Sequence, residues 1–264
     1  RLLSVYAHVG SVRGSPEGED GDCTACGHGL LQVFAGSSVR RVEIAGVGDG
    51  TSDPGVERAV LRIAITGNMG SGKSSLANLL AERGAQVVDA DALARQLLAS
   101  DETLRRALAN AFGADLLDSS GLLRRDLLAE RAFANDAARQ QLDELIREPL
   151  EKLLFRSLEE AAETNRVVIL DAPLLFEWRI EARFDVVIVV TSSPQRALQR
   201  LQRRGVSAEQ ARRRRSTQFP QKQQVELADI VIDNDQDLTH LAAQADKAWA
   251  LIQDRIQGRD VGSE

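Results

Sequence analysis

Short apolar runs alternate with helical patterns along the chain from residue 61 onward. Five of these runs are predicted to be strands, and they cover residues 61–66, 86–88, 167–170, 185–190 and 230–232. Short runs rich in Val, Ile and Leu are typical of strands that are buried on both faces of a parallel sheet. Since a turn or a helix follows each run, the pattern predicts an α/β fold with helices flanking a parallel sheet.

Apolar residues at helical spacing predict helices over residues 75–83, 93–98, 104–111, 124–133, 139–161 and 238–256. No strand pattern interrupts the block from about 92 to 161, which is predicted to be a helical insertion over the carboxyl edge of the sheet. Pro149 lies inside its longest helix and suggests a bend there. In the last helix the predicted core face contains Leu241, Ala248, Leu251 and Ile252.

Residues 1–60 differ from the rest of the chain in composition and in hydrophobic pattern. They contain 11 of the 20 glycines, mixed with Ser, Asp, Glu and Pro, and no long periodic segment. We interpret them as a disordered or non-native extension, followed by a folded domain over 61–257 and a flexible tail over 258–264. Cys23 and Cys26, with His8 and His28 nearby, resemble half a zinc site, but a second ligand pair is missing and a loop with incidental thiols is favoured.

Charge and composition narrow the range of partners. The net charge of −6 is ordinary for a globular protein and does not favour nucleic acid. Every apolar run is far shorter than the roughly 20 residues that span a bilayer, so no membrane partner is expected. The two cysteines offer no disulfide framework to the predicted domain, which favours a reducing cytoplasm.

A phosphate-binding loop follows the first predicted strand. Residues 67–74 read GNMGSGKS, which matches the Walker A pattern between a strand and a helix. Glycines let the backbone direct its N–H groups at phosphate oxygens, next to the positive end of the helix dipole. Lys73 is predicted to reach the β- and γ-phosphates of ATP, and the Ser74 hydroxyl to coordinate Mg²⁺. The predicted nucleotide-binding residues of this loop are Gly67, Gly70, Ser71, Gly72, Lys73, Ser74 and Ser75.

Three aspartates lie at the ends of predicted strands. Reacting groups of open α/β sheets gather beyond the carboxyl ends of the strands, where Asp89, Asp91 and Asp171 are expected. Asp91 is placed to accept a hydroxyl proton or to hold Mg²⁺ through water, and Asp171 resembles the Walker B carboxylate. The alternative for the first two is a helix N-cap and a first-turn acid; a capping Asp89 would leave Asp91 available.

Arginines dominate the region from about 200 to 222, which we interpret as a lid. Four arginines at its start and just before it share helical spacing and can present their guanidinium groups on one face: Arg196, Arg200, Arg203 and Arg204. Such a helix can close over a phosphoryl group and neutralise its charge. Residues 212–215 are also all arginine, and the alternative there is a solvated face with Glu209 paired to Arg213. Arg200 and Asn234, at the end of the last strand, complete the predicted nucleotide-binding set.

The motifs, in this order, resemble those of the dephospho-coenzyme A kinase family, over about residues 61–255. They are the loop and its strand (63–74), the aspartate motif (88–95), Phe112 with Gly113, Gly121 and Arg125, the apolar segment 172–177, Arg203 with Gly205, and residues 228–234. The sequence departs from the family pattern at Asn68, which replaces a glycine, and at Glu148, which replaces a histidine. It also departs at Arg204, which replaces Asp or Asn, and at Arg215, which replaces an apolar residue.

The resemblance implies a P-loop kinase that transfers phosphate from ATP to the 3′-hydroxyl of dephospho-coenzyme A. Residues 70–75 would hold ATP, Asp91 would be the catalytic carboxylate beside the acceptor hydroxyl, and Arg203 would face the phosphates from the lid. The acceptor site would be bordered by Pro173, Leu174, Leu175, Phe176 and Glu177. The middle three of these are equally suited to the core. We expect a monomeric enzyme with ATP, dephospho-coenzyme A and Mg²⁺ as its partners.

Two other classes remain as alternatives. Another P-loop kinase of a small molecule or nucleotide would keep the loop and change the acceptor pocket. A P-loop GTPase or a regulatory ATP-binding protein is disfavoured, because the Asn-Lys-x-Asp motif that reads guanine does not occur in the sequence.

Overall fold

The structure, a computed structural model, describes residues 32–33, 60–215 and 218–261, without the side chains at 32, 33, 213, 214, 260 and 261. Its strands are β1 (Gln32–Val33), β2 (Leu61–Thr66), β3 (Gln86–Asp89), β4 (Val167–Asp171), β5 (Val186–Thr191) and β6 (Ile230–Asp233). Its helices are α1 (Lys73–Glu82), α2 (Ala90–Ser100), α3 (Glu102–Phe112), α4 (Arg125–Ala132), α5 (Asp136–Ala162), α6 (Pro194–Arg203), α7 (Ala208–Arg215), α8 (Gln221–Glu226) and α9 (Leu238–Val261). Short 3₁₀ turns occur at Ala114–Leu116 and Glu181–Arg183.

The described strands form one sheet in the order β1-β6-β5-β2-β4-β3. Strands β2 to β6 are mutually parallel, which confirms the predicted fold class and all five predicted strands. Strand β1 pairs antiparallel with β6 and was not predicted. Cys23 and Cys26 lie outside the described residues, so the interpretation of the N-terminal segment stays a prediction.

Both faces of the sheet are covered. On one face, Ile63 and Ile65 of β2 pack with α1 and α9, and Leu241, Ala248 and Ile252 are buried as predicted. Leu251 is only partly buried. On the other face, alternate residues of the strands pack against helices α2 to α5, which form the predicted insertion. The near-continuous apolar strands follow from this double burial.

Helix α5 runs unbroken for 27 residues and contains Pro149. Leu142, Ile146 and Leu150 line its buried side. This apolar side of α5 packs against β3 and β4. The insertion therefore covers a face of the sheet, whereas the sequence had indicated a position over its carboxyl edge. Within the described ranges, none of the helices has both the length and the apolar character that crossing a bilayer requires.

Candidate active site

A cleft of about 290 Å³ opens where β2, β3 and β4 end. Carboxyl ends of parallel strands are the usual location of ligand sites in open α/β sheets. Residues from the phosphate loop, the aspartate motif and the predicted lid meet there. The cleft is lined by Met69, Gly70, Lys73, Ser74, Asp89, Asp91, Arg95, Asp171, Pro173, Leu201, Arg204, Val206 and Gln218.

The phosphate loop depends on glycine at defined positions. Gly67, Gly70 and Gly72 have φ values of 142°, 83° and 100°, a region that L side chains rarely adopt. A Cβ on Gly67 would lie 2.2 Å from the carbonyl oxygen of Val190, and one on Gly72 would lie 2.1 Å from Asn234 Nδ2. The loop conformation and its close neighbours therefore both require glycine.

Lys73 begins helix α1 and lies in the cleft. Its ammonium group donates a 2.7 Å hydrogen bond to the carbonyl of Gly67, across the loop. Burial lowers the pKa of Lys73, and the negative charges of Asp171 and Asp91 oppose that change. The cation is thus held among phosphate-loop backbone groups by acids that face it from β4 and α2.

Ser74 and Asp171 form the pair expected of Walker A and Walker B residues. The Ser74 hydroxyl donates a 2.8 Å hydrogen bond to Asp171 Oδ2. Burial raises the pKa of Asp171, while Lys73 and the hydrogen bond from Ser74 act in the opposite direction. A hydroxyl and a carboxylate oxygen are ligands that suit Mg²⁺, so this pair fits a magnesium site beside the loop.

The two aspartates after β3 have different local roles. Asp89 caps α2, because its side chain accepts a 3.0 Å hydrogen bond from the N–H of Ala92. Asp89 also lies 4.0 Å from the guanidinium of Arg95. Asp91 is in the first turn of α2 and lines the cleft. Asp89 therefore acts as the helix cap, and Asp91 lies in the cleft without capping the helix.

Arg200 and Asn234 support the loop from behind. Asn234 donates a 2.7 Å hydrogen bond to the carbonyl of Ser71. Arg200 donates to the same carbonyl at 3.2 Å and to the backbone oxygen of Asn234 at 2.6 Å. Both residues thus contact the phosphate loop through its backbone, and Arg200 in addition donates to the side-chain oxygen of Asn234.

The predicted lid and the helix that follows it make contacts with the phosphate loop that the sequence did not indicate. Gln218 accepts a 2.7 Å hydrogen bond from the N–H of Met69, and Arg215 donates one of 2.7 Å to the carbonyl of Met69. Gln224 donates a 2.7 Å hydrogen bond to the side chain of Asn68. The departures at Asn68 and Arg215 were the available signal, because both residues take part in these contacts.

The predicted acceptor segment divides between cleft and core. Pro173 lines the cleft, whereas Leu174, Leu175 and Phe176 are buried in the hydrophobic core. The Phe176 ring stacks on Phe219 with centroids 5.4 Å apart. These three apolar residues therefore belong to the hydrophobic core, which was one of the two positions that the sequence allowed for them.

Glu177, the last residue of this segment, is tied to the end of the lid. Its carboxylate accepts a 3.2 Å hydrogen bond from the N–H of Phe219. Burial raises the pKa of Glu177, and Lys73 opposes this change. The segment 218–224 thus contacts both the phosphate loop and the segment predicted to border the acceptor.

The lid arginines do not all face the cleft. Arg203 is exposed at the end of α6, while its neighbour Arg204 lines the cleft.

Glu148 is also exposed and pairs with Lys152 at 2.6 Å on the surface of α5. The side chain of Arg213 is outside those described, so its pairing with Glu209 stays a prediction.

Sequence comparisons reveal a consistent set of relatives. The model of the dephospho-CoA kinase family matches residues 61–240. A dephospho-CoA kinase of Streptomyces avermitilis is 38% identical over 192 residues, which cover 72% of this chain and 93% of that protein. The dephospho-CoA kinase of Corynebacterium glutamicum is 36% identical over 199 residues, or 75% of this chain and the whole of that protein.

Solved structures resemble the same region. A crystal structure of a protein from Thermus thermophilus aligns with a TM-score of 0.63 and 30% identity, over 73% of this chain and 97% of that one. A dephospho-CoA kinase from Campylobacter jejuni aligns with a TM-score of 0.58 over 75% of this chain and 98% of that one. At 22% identity the second likeness supports the fold alone.

Proposed function

This chain belongs to the dephospho-CoA kinase family, and on that premise we propose that it transfers the γ-phosphoryl group of ATP to the ribose 3′-hydroxyl of dephospho-coenzyme A. The products are coenzyme A and ADP, and the reaction is the last step of coenzyme A synthesis. The main support is the family match over residues 61–240, together with a cleft that Lys73 and Asp91 share. We expect the enzyme to act in the cytoplasm as a monomer.

On the donor side, the phosphate loop binds the phosphates of ATP through its backbone N–H groups and the N-terminus of α1. Lys73 exchanges its hydrogen bond to the Gly67 carbonyl for the β- and γ-phosphate oxygens. Arg200 and Asn234 keep the loop in shape by binding its carbonyls. The chain thereby pre-orients the N–H groups, and little reorganisation accompanies ATP binding.

On the acceptor side, Asp91 faces the 3′-hydroxyl and accepts its proton as the oxygen attacks the γ-phosphorus. The bond between the γ-phosphorus and the β,γ-bridging oxygen breaks, and ADP leaves with that electron pair. Positioning and charge stabilisation supply most of the rate enhancement in such transfers. Pro173, which lines the cleft, borders the acceptor together with Glu177 in this proposal, and the buried residues between them support that wall.

Ser74 and Asp171 would hold Mg²⁺, since they offer a hydroxyl and a carboxylate oxygen that are already hydrogen-bonded to each other. When bound, the ion neutralises charge on the phosphates of ATP. Asp91 contributes through a water molecule in this proposal. Among the lid residues, Arg203 moves onto the phosphates when the lid closes.

The direct test is ADP release that depends on dephospho-coenzyme A. Replacing Lys73 by Ala should abolish it, because no other lysine lines the cleft among the described residues. Lys247→Ala is the matched control, since Lys247 is exposed on α9 and should retain full activity. Full activity of Lys73→Ala would overturn this mechanism.

The acceptor is tested separately. Wild-type protein is supplied with ATP and, in turn, with dephospho-coenzyme A, a nucleoside monophosphate, shikimate and gluconate. Release of ADP with dephospho-coenzyme A alone supports the proposal. Faster turnover of any other acceptor would show a different P-loop kinase.

A further inference from the structure

Arg215 ends helix α7 and reaches into the mouth of the phosphate loop. Its Nη1 donates a 2.7 Å hydrogen bond to the carbonyl of Met69, which lines the cleft. The guanidinium is close enough to Lys73 for charge repulsion to contribute to the lowered pKa of that lysine. Two cations therefore approach the same loop, one from α1 and one from the lid.

The Arg215 cation has no matching anion among the described side chains. Its hydrogen-bond acceptor is a neutral carbonyl, and none of the ion pairs between described residues includes it. The side chain is only partly exposed, and burial lowers its pKa without an opposing carboxylate. Holding a partly buried charge without an anion is unfavourable, and a bound anion at this position would relieve that cost.

Other arginines of this region are arranged differently. Arg200 binds four backbone and side-chain oxygens behind the loop. Arg203 and Arg212 are exposed to solvent. Arg215 is thus the described lid arginine that combines partial burial with a hydrogen bond to the front of the phosphate loop.

We propose that Arg215 binds the γ-phosphate of ATP and so distinguishes ATP from ADP at this site. The inference rests on the proposed function for the identity of the nucleotide. Arg215 stands where the family pattern has an apolar residue, so family membership does not assign this role. An arginine suits it because its planar fork can keep one N–H on Met69 and direct the others at phosphate oxygens.

The alternative is that Arg215 only supports Met69 and the loop. In that case its removal would weaken every nucleotide that uses the loop, because ATP and ADP share the β-phosphate. A contact with the γ-phosphate would instead weaken ATP alone. The ratio of the two affinities therefore separates the roles.

The experiment measures dissociation constants of ADP and of a non-hydrolysable ATP analogue by calorimetry, with Mg²⁺ and without acceptor. Arg215→Met keeps the length of the apolar stem and removes the charge. We expect it to weaken the analogue about 10- to 100-fold, as for loss of a hydrogen bond between charged groups, and to leave ADP within about twofold. Arg215→Lys should recover part of the loss. Arg212→Met, an exposed position on the same helix, should change neither affinity.

If Arg215→Met weakens the binding of both ligands equally, the proposal is wrong and Arg215 only supports the loop. If both affinities are unchanged, the proposal is also wrong, because Arg215 then contacts neither nucleotide. Thermal unfolding of each variant verifies that it folds. The binding measurement contains no acceptor, so a wrong acceptor in the proposed function would not change its result. Failure of wild type to bind either nucleotide would contradict both proposals, whereas failure in the acceptor assay alone would contradict only the first.

Discussion

The side chains of Asn68 and Gln224 share a 2.7 Å hydrogen bond that joins the phosphate loop to helix α8. Both residues are buried, and Gln224 donates a second hydrogen bond of 2.9 Å to the carbonyl of Phe219. Asn68 stands where the family pattern has glycine, and its φ is outside the left-handed region. The additional side chain is therefore accommodated by a polar partner and not by strained backbone.

The coupling of this pair can be measured in a double-mutant cycle. Gln224→Ala leaves the buried Asn68 carbonyl oxygen without its donor and should lower the free energy of unfolding by about 1–3 kcal/mol. Combining it with Asn68→Gly should cost less than the sum of the two single changes, by about 0.5 kcal/mol or more. Urea unfolding of the four proteins gives the values. Strict additivity would mean that the contact is not formed in solution.

Gly72→Ala should abolish nucleotide binding while the protein stays folded. The new Cβ would lie 2.1 Å from Asn234 Nδ2, at a φ of 100° that alanine rarely adopts. Since Asn234 holds the Ser71 carbonyl, the loop would have to leave its observed shape. Gly258→Ala on α9 is the control, because a Cβ there meets nothing within 4 Å; we expect it to stabilise the protein by up to about 1 kcal/mol. Calorimetry with ATP provides the measurement, and unchanged affinity in Gly72→Ala would be the contrary result.

Asp171→Asn should raise the Mg²⁺ concentration needed for activity while leaving the protein folded. Asparagine retains an oxygen that accepts from Ser74, but it removes the negative charge that the ion requires. Loss of such an oriented ligand partner commonly costs about 10- to 100-fold in metal affinity or activity. The Mg²⁺ concentration at half-maximal activity is the readout. Asp246→Asn, which alters only a surface ion pair with Arg83, should behave as wild type.

Glu177 should make the protein less stable as pH rises. Burial raises the pKa of Glu177 above the ordinary glutamate value of 4.5, so the folded state binds its proton more tightly than the unfolded state does. The stabilising contribution is complete below pH 4.5 and is lost as pH rises through the raised pKa of the folded state. Glu177→Gln removes this dependence, so its stability relative to wild type should increase between pH 5 and 8.

Urea unfolding across that pH range tests the sign. Glu148→Gln is the control, because Lys152 lowers the pKa of Glu148 at the surface. Glu148 is therefore ionised in both the folded and the unfolded state above pH 5, and the stability difference between this variant and wild type should stay nearly constant between pH 5 and 8. A stability difference between wild type and Glu177→Gln that does not change with pH would contradict the assignment of burial as the cause.

The sequence was sufficient for the sheet and the phosphate loop because both depend on local patterns. Short apolar runs alternating with helices are typical of a parallel sheet that is covered on both faces, and positive φ at Gly67, Gly70 and Gly72 follows from the loop motif. The capping role of Asp89 was equally readable, since a cap involves residues three positions apart. These features need no knowledge of distant contacts.

The contacts of the lid with the loop could not be obtained in this way. Gln218 and Met69 are 149 residues apart in the chain, and only the packed fold brings their polar groups together. The apolar residues Leu174, Leu175 and Phe176 suited both a pocket wall and a core, and packing against Phe219 decided for the core. A pattern of residue types does not contain that information.

The two-residue strand β1 changes what the border of the sheet offers to other molecules. Strand β6 would otherwise end the sheet with a row of unpaired N–H and C=O groups, which is a template for pairing with a second chain. Gln32 and Val33 occupy this border next to Ile230 and Val231. An antiparallel strand as short as this covers part of the border while presenting little new edge of its own, so the two residues leave less of β6 open to pairing with a second chain.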